Sequence, residues 1–167
     1  MTETLFEDRP GVSQPFMLYD GAVRGRLVRL NGVAGKILGS HHAYPDDVSR
    51  VLGEAMAAAA ALADGLKFDG SFTLQIQGDG PLHTLVTDIT NDRAMRGCAK
   101  FREDDVQALQ EAGGQGSSLL DLLGTGHVAF TVDQGADMER YQGIIELAGT
   151  SIGDCIHQYF QQSEQLE

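Results

Sequence analysis

The chain has 167 residues, 42% of them hydrophobic, and carries 12 Lys and Arg against 24 Asp and Glu, a formal net charge of −12. That length is enough for one domain with its own hydrophobic core, and the acidic balance argues against nucleic acid or an anionic membrane surface as a partner. The longest apolar run, Ala55 to Ala63, is far shorter than the roughly 20 residues a bilayer span requires.

The opening MTETLFEDRPG carries acids where an export signal would place basic and then apolar residues, so cytoplasmic residence is expected. Residues 1–15 are polar and punctuated by proline and read as a flexible lead-in, with structure starting near Phe16. In AVRGRLVRL, the residues Val23, Leu27, Val28 and Leu30 sit among arginines that would lie on a wet side, the pattern of a half-buried strand with a weak point at Gly25. Asn31 then caps a short helix over Val33 to Ser40, and Pro45 suits the first turn of the next.

That next helix is predicted over residues 46–66, where Val48, Val51, Leu52, Ala55, Met56, Ala59, Leu62, Ala63 and Leu66 recur at steps of three and four. Strict alternation follows: Phe72, Leu74 and Ile76 on one side of a strand, and Ser71, Thr73, Gln75 and Gln77 on the other. The turn Gly78-Asp79-Gly80-Pro81 sends the chain back through LHTLVTDIT, and MRGCAKF reads as a third strand. Two short helices around GGQGS, a pair of strands in HVAFTVD and RYQGIIEL, and a helix from Thr150 to Leu166 complete the order. Adjacent strands in groups, without β-α-β alternation, predict an α+β fold of largely antiparallel sheets packed against a long buried helix and a C-terminal helix.

Candidate chemistry is sparse. Gly78 to Pro81 lacks the Lys-Ser or Lys-Thr pair and following helix of a phosphate loop, and a hairpin turn is the better reading. His41 and His42 could meet Cys155 and His157 at a soft metal only if loop and helix brought them together, and no nucleophile elbow is present. A small-molecule enzyme using His41, His42 or the Gly78–Pro81 turn is the alternative reading. Cys98 and Cys155 read as reduced core thiols.

The ordered strings AVRGRLVRL, YP before the alanine-rich helix, KFDGSFTLQIQGDGP, MRGCAKF, GHVAFTVDQG, ERYQGII and YFQQSEQL resemble the N-terminal core domain of HslO, the redox-regulated heat-shock chaperone family known as the 33 kDa chaperonin of bacteria. The resemblance implies a non-enzymatic, ATP-independent holdase core over residues 16–167. Its partners would be unfolded or partly unfolded client proteins, with a homodimer as a further candidate assembly. It also implies that the family's remaining core strands, linker and four-cysteine zinc domain lie beyond this sequence. Zinc is then expected only there, with no cofactor in this chain. Ser71, Thr73, Gln75 and Gln77 would form a surface facing the linker or a client.

Overall fold

The computed structural model describes residues 11–39, 43–113, 117–135 and 138–163. Its strands are β1 (Val12–Leu18), β2 (Val23–Arg29), β3 (Ser71–Gly78), β4 (Leu82–Thr90), β5 (Met95–Phe101), β6 (Gly126–Asp133) and β7 (Tyr141–Glu146). Its helices are α1 (Asn31–Gly39), α2 (Asp46–Ala63), α3 (Glu103–Gly113), α4 (Leu119–Leu123) and α5 (Ile152–Ser163). The expected α+β class with antiparallel sheets is what forms.

Helix α2 sets the spacing of the domain. Val48, Val51, Leu52, Ala55, Met56, Ala59 and Ala63 are all buried along one stripe, and the alanines let a sheet approach the helix backbone. Asp46 and Asp47 occupy its positive first turn. The helix stops at Ala63, one turn earlier than the apolar spacing predicts, because Asp64 and Gly65 follow; Leu66 is therefore exposed rather than part of the buried stripe.

Beneath it lies a five-stranded sheet in the order β5-β4-β3-β6-β7, antiparallel throughout. Phe72, Leu74 and Ile76 of the central strand point into the core as their alternation predicts. In β4 the inward series Leu85, Thr87 and Ile89 would leave Leu82 outside, but the register shifts between Leu82 and Thr84 and turns Leu82 inward as well. Helix α1 packs over β5 and α5 over β7, on either side of α2.

Distant segments are tied to α2 by its own polar side chains. Asp47 accepts a hydrogen bond from the Ser117 amide at 3.2 Å, while Arg50 donates to the Ser117 carbonyl at 2.7 Å. Glu54 accepts from the Ile152 and Gly153 amides at 2.9 and 3.4 Å, so a carboxylate 98 residues away in sequence caps the start of α5. Asp154 accepts from the Thr150 amide and hydroxyl at the same helix end, which holds its carboxyl below the usual range. Truncating Glu54→Ala should cost about 0.5–2 kcal/mol, the range of a lost cap, in urea unfolding; an unchanged midpoint would show that α5 needs no capping from α2.

Candidate functional site

Strands β1 and β2 form a second, two-stranded sheet, with Val12 opposite Arg29, Phe16 opposite Gly25 and Leu18 opposite Val23. The lead-in expected over residues 1–15 thus gives way to a paired strand already at Val12, four residues before the expected start at Phe16. The sequence hid this start because Ser13, Gln14 and Pro15 read as loop, yet an edge strand tolerates proline, whose missing N–H can face outward.

Register sorts the hairpin into two faces. One carries Ser13, Pro15, Met17, Arg24, Arg26 and Val28 and turns its Ser13–Val28 end toward α2, where Ser13 and Val28 are half-buried. The other carries Val12, Gln14, Phe16, Leu18, Val23, Gly25, Leu27 and Arg29. On that face Phe16, Leu18, Val23 and Leu27 are 44%, 49%, 46% and 56% exposed, four large apolar side chains side by side in water. Gly25 makes the arrangement possible: a Cβ there would lie 2.2 Å from the Phe16 ring, so the ring lies flat across the bare backbone of β2.

This corrects the expected strand. Val23 and Leu27 are exposed, and it is Arg24 and Arg26 that share a side with half-buried Val28. The physical reason is Asp64 at the end of α2. Its nearly buried carboxylate takes Arg26 of β2 at 3.4 Å and also Arg93 of the β4–β5 turn, so the arginine side of β2 is drawn inward. The hairpin tip bends sharply, with Tyr19, Asp20 and Gly21 all at positive φ and Tyr19 82% exposed.

The outward face of the five-stranded sheet has a different character. Ser71, Thr73 and Gln75 are half-buried and Gln77 is exposed. Thr73 donates to Asp88 at 2.6 Å, Arg96 pairs with the same carboxylate at 3.3 Å, and Gln142 donates to Thr131 at 3.0 Å. Register aligns Arg96, Asp88, Thr73, Thr131 and Gln142 in one row across all five strands. Much of this surface is therefore hydrogen-bonded within itself.

Cys98 stands on the same outward face between Arg96 and Lys100 and is exposed, not a core thiol as expected; its alternation with two cations was the available signal. Cys155 is buried in α5, donates to the Ala148 carbonyl at 3.0 Å, and burial pushes its thiol pKa up.

The Gly78–Pro81 turn is bound up in the fold. Asp79 accepts from the Thr125 amide and hydroxyl at 2.8 and 3.1 Å, the Asp79 amide donates to Thr125, and the Gly80 amide donates to Leu123. Backbone donors that a phosphate would need are already used here. His41 and His42 lie outside the described residues; His157 is exposed on α5 while Cys155 faces the core. Among the described residues no group of three or more His, Cys, Asp or Glu is placed to hold a metal ion, and no helix is long and apolar enough to cross a membrane.

The profile of the Hsp33 protein family matches residues 12–167. The 33 kDa chaperonin of Proteus mirabilis is 44% identical over 151 residues, covering 90% of this chain and 48% of that protein. That of Caulobacter vibrioides is 41% identical over 154 residues, 92% of this chain and 50% of that one. The crystal structure of the 33 kDa chaperonin, or heat shock protein 33 homolog, of Thermotoga maritima superposes with a TM-score of 0.76 at 25% identity, over 90% of this chain and 50% of that one. The chain thus spans about half the length of the relatives it matches. A profile that begins at the first residue of β1, relatives above 40% identity and a shared fold together place the chain in the Hsp33 family.

Proposed function

We propose that this chain is the client-holding core of an ATP-independent holdase, which binds unfolding proteins and prevents their aggregation without catalysing a reaction. The observation that carries the reading is the outward face of the β1–β2 hairpin. Large apolar side chains that a folded protein keeps in water are a liability unless they meet a partner, and an unfolding protein exposes matching surface. The relatives' name, 33 kDa chaperonin, supports the same reading. The self-bonded polar face around Thr73 and Gln75 suits a solvated or linker-facing surface better than capture of apolar chain. Cytoplasmic residence and regulation by a zinc-binding cysteine switch in the rest of the full-length protein complete the proposal.

Within this chain the two thiols cannot form that switch. Cys98 is on β5 and Cys155 on α5 over β7, at opposite ends of the five-strand order. Four strand spacings of about 4.8 Å put them far beyond the roughly 7 Å Cα limit for a disulfide. Light scattering of a thermally unfolding reporter protein should therefore be suppressed equally by the chain under dithiothreitol and after peroxide. Suppression only after peroxide would place a switch within these residues; none in either would remove the holding role from them. Elemental analysis should likewise find no stoichiometric zinc, and one zinc per purified chain would overturn that expectation.

A further inference from the structure

We propose that the cavity between the inner face of the β1–β2 hairpin and the C-terminal half of α2 binds a short aliphatic carboxylate, a medium-chain fatty acid, its chain held by an apolar wall and its carboxylate by Ser13 and Arg93. The site lies on the side of the hairpin opposite Phe16, Leu18, Val23 and Leu27 and does not depend on the holdase reading.

The first support is the cavity itself. Its volume is about 260 Å³, close to the lower end of small-molecule sites. Leu30, Val33, Ala60, Ala63, Ile89 and Met95 line it, so the wall is contributed by both helices that flank the hairpin and by β4 and β5, with Val28 of β2 above. The two alanines leave the space open, since each presents a single carbon where a longer side chain would fill it. Such a lining favours an aliphatic chain over water. Strand β2 packs on α2, whereas β1 is held to the body mainly through β2, and entry beneath β1 displaces little packed surface.

The second support is the polar groups set into that wall. Ser13 lines the cavity, and its Oγ is shut away from solvent with no hydrogen-bond partner among the described residues, although a hydroxyl can both donate and accept. Arg93 lines it too, and its φ of 67° holds a residue with a side chain in the left-handed region, a strain of the kind that collects at ligand sites. Asp64 is the third. As the C-cap of α2 it stands at the negative end of the helix dipole, which by itself repels an anion. Two guanidiniums, Arg26 and Arg93, converge on that one carboxylate and leave a positive charge unmatched. Asp92 does not line the cavity, and its carboxylate is taken by the Thr90 hydroxyl and the Ala94 amide. Arg93 gives one terminal nitrogen to Asp64, and a guanidinium has further N–H groups for a second carboxylate. A ligand carboxylate accepting from Ser13 and Arg93 therefore satisfies the orphan hydroxyl and the unmatched charge together; a neutral head group satisfies only the hydroxyl.

Octanoate titrated onto the isotope-labelled whole chain tests this, with octanol as the same chain lacking the carboxylate. Octanoate should bind one to one and about ten-fold or more tighter than the alcohol, the difference that hydrogen bonds to a charged group supply. Its amide shifts should centre on Ser13, Val28, Ala63 and Arg93. Ala60→Leu, which puts a side chain into the cavity from a half-buried position, should abolish binding of both compounds while the chain still melts cooperatively. Arg93→Gly, which also relieves the positive φ, should weaken octanoate about ten-fold and leave octanol unchanged, a selective loss that misfolding cannot imitate. Ser13→Ala should weaken octanoate about five-fold.

Equal affinity for acid and alcohol, shifts centred on the outward face around Phe16 and Leu27, indifference to Ala60→Leu, or no binding by the folded chain would each overturn the proposal. N-acetylleucine binding more tightly than octanoate would give the cavity to a peptide chain end and overturn the fatty acid as its ligand.

Discussion

Leu74→Ala is expected to lower the unfolding free energy by about 2–5 kcal/mol, the range for truncating a fully buried leucine. Leu74 sits at the centre of β3, itself the central strand, between Thr87 of β4 and Phe130 of β6, and none of its surface reaches solvent. Its neighbours on the core side, Phe72 and Ile76, are likewise buried, so the cavity would be walled by strands and α2 that cannot collapse into it. Gln75→Ala, one residue along and on the opposite face, removes a half-buried polar side chain with no core to disturb and should cost under about 0.5 kcal/mol. Urea melts of the two variants measure the contrast. Equal losses would mean that the inward and outward faces of β3 are misassigned, and with them the polar row through Thr73 and Asp88.

The alternation that makes Leu74 predictable also marks the limit of the sequence as a guide. Period two in SFTLQIQ and period 3.6 through α2 each say which residues share a face, and where one face is wholly apolar the dry side is not in doubt. AVRGRLVRL offers no such contrast. Val23 and Leu27 share one face with Gly25, while Arg24 and Arg26 share the other with Val28, and it is the second of these faces that turns toward α2. What decides the matter is Asp64, 38 residues away from Arg26, and a long-range ion pair leaves no trace in local pattern. MRGCAKF failed for a different reason: cysteine is a common core residue, but here its parity matches Arg96 and Lys100. The candidate site is therefore hidden twice over in the sequence: β1 has no strand pattern of its own across Ser13, Gln14 and Pro15, and the valine and leucine that look half-buried in AVRGRLVRL are exposed.

Gly126→Ala should also destabilise the sheet, and its cause is space rather than backbone angle. Gly126 opens β6 directly opposite Gly78, and a Cβ there would stand 1.9 Å from the Gln77 carbonyl oxygen and 2.7 Å from the Gly78 Cα. Gly78 is equally confined, since its own Cβ would lie 2.0 Å from the Leu123 carbonyl oxygen. Every one of these obstacles is backbone, so no side chain can rotate away. The strand ends must part, and parting them pulls on the hydrogen bonds from the Asp79 amide to Thr125 at 3.0 Å and from the Leu147 amide to Gly126 at 2.8 Å. Overpacking of this kind costs about 1–3 kcal/mol, and the hydrogen bonds at stake push the expectation to the upper end. Gly35→Ala supplies a contrast of opposite sign. A Cβ at Gly35 meets nothing within 4 Å, and the residue lies inside α1, so alanine should raise stability by about 0.4–1 kcal/mol through lower unfolded-state entropy. Thermal melts of both variants decide the point: a neutral Gly126→Ala would mean the corner between β3 and β6 is looser than its backbone contacts require. Because that corner does not touch the hairpin, the Gly126→Ala chain should, on the proposed holdase function, still suppress aggregation at temperatures where it remains folded, which separates the stability of the sheet from the surface proposed to hold clients.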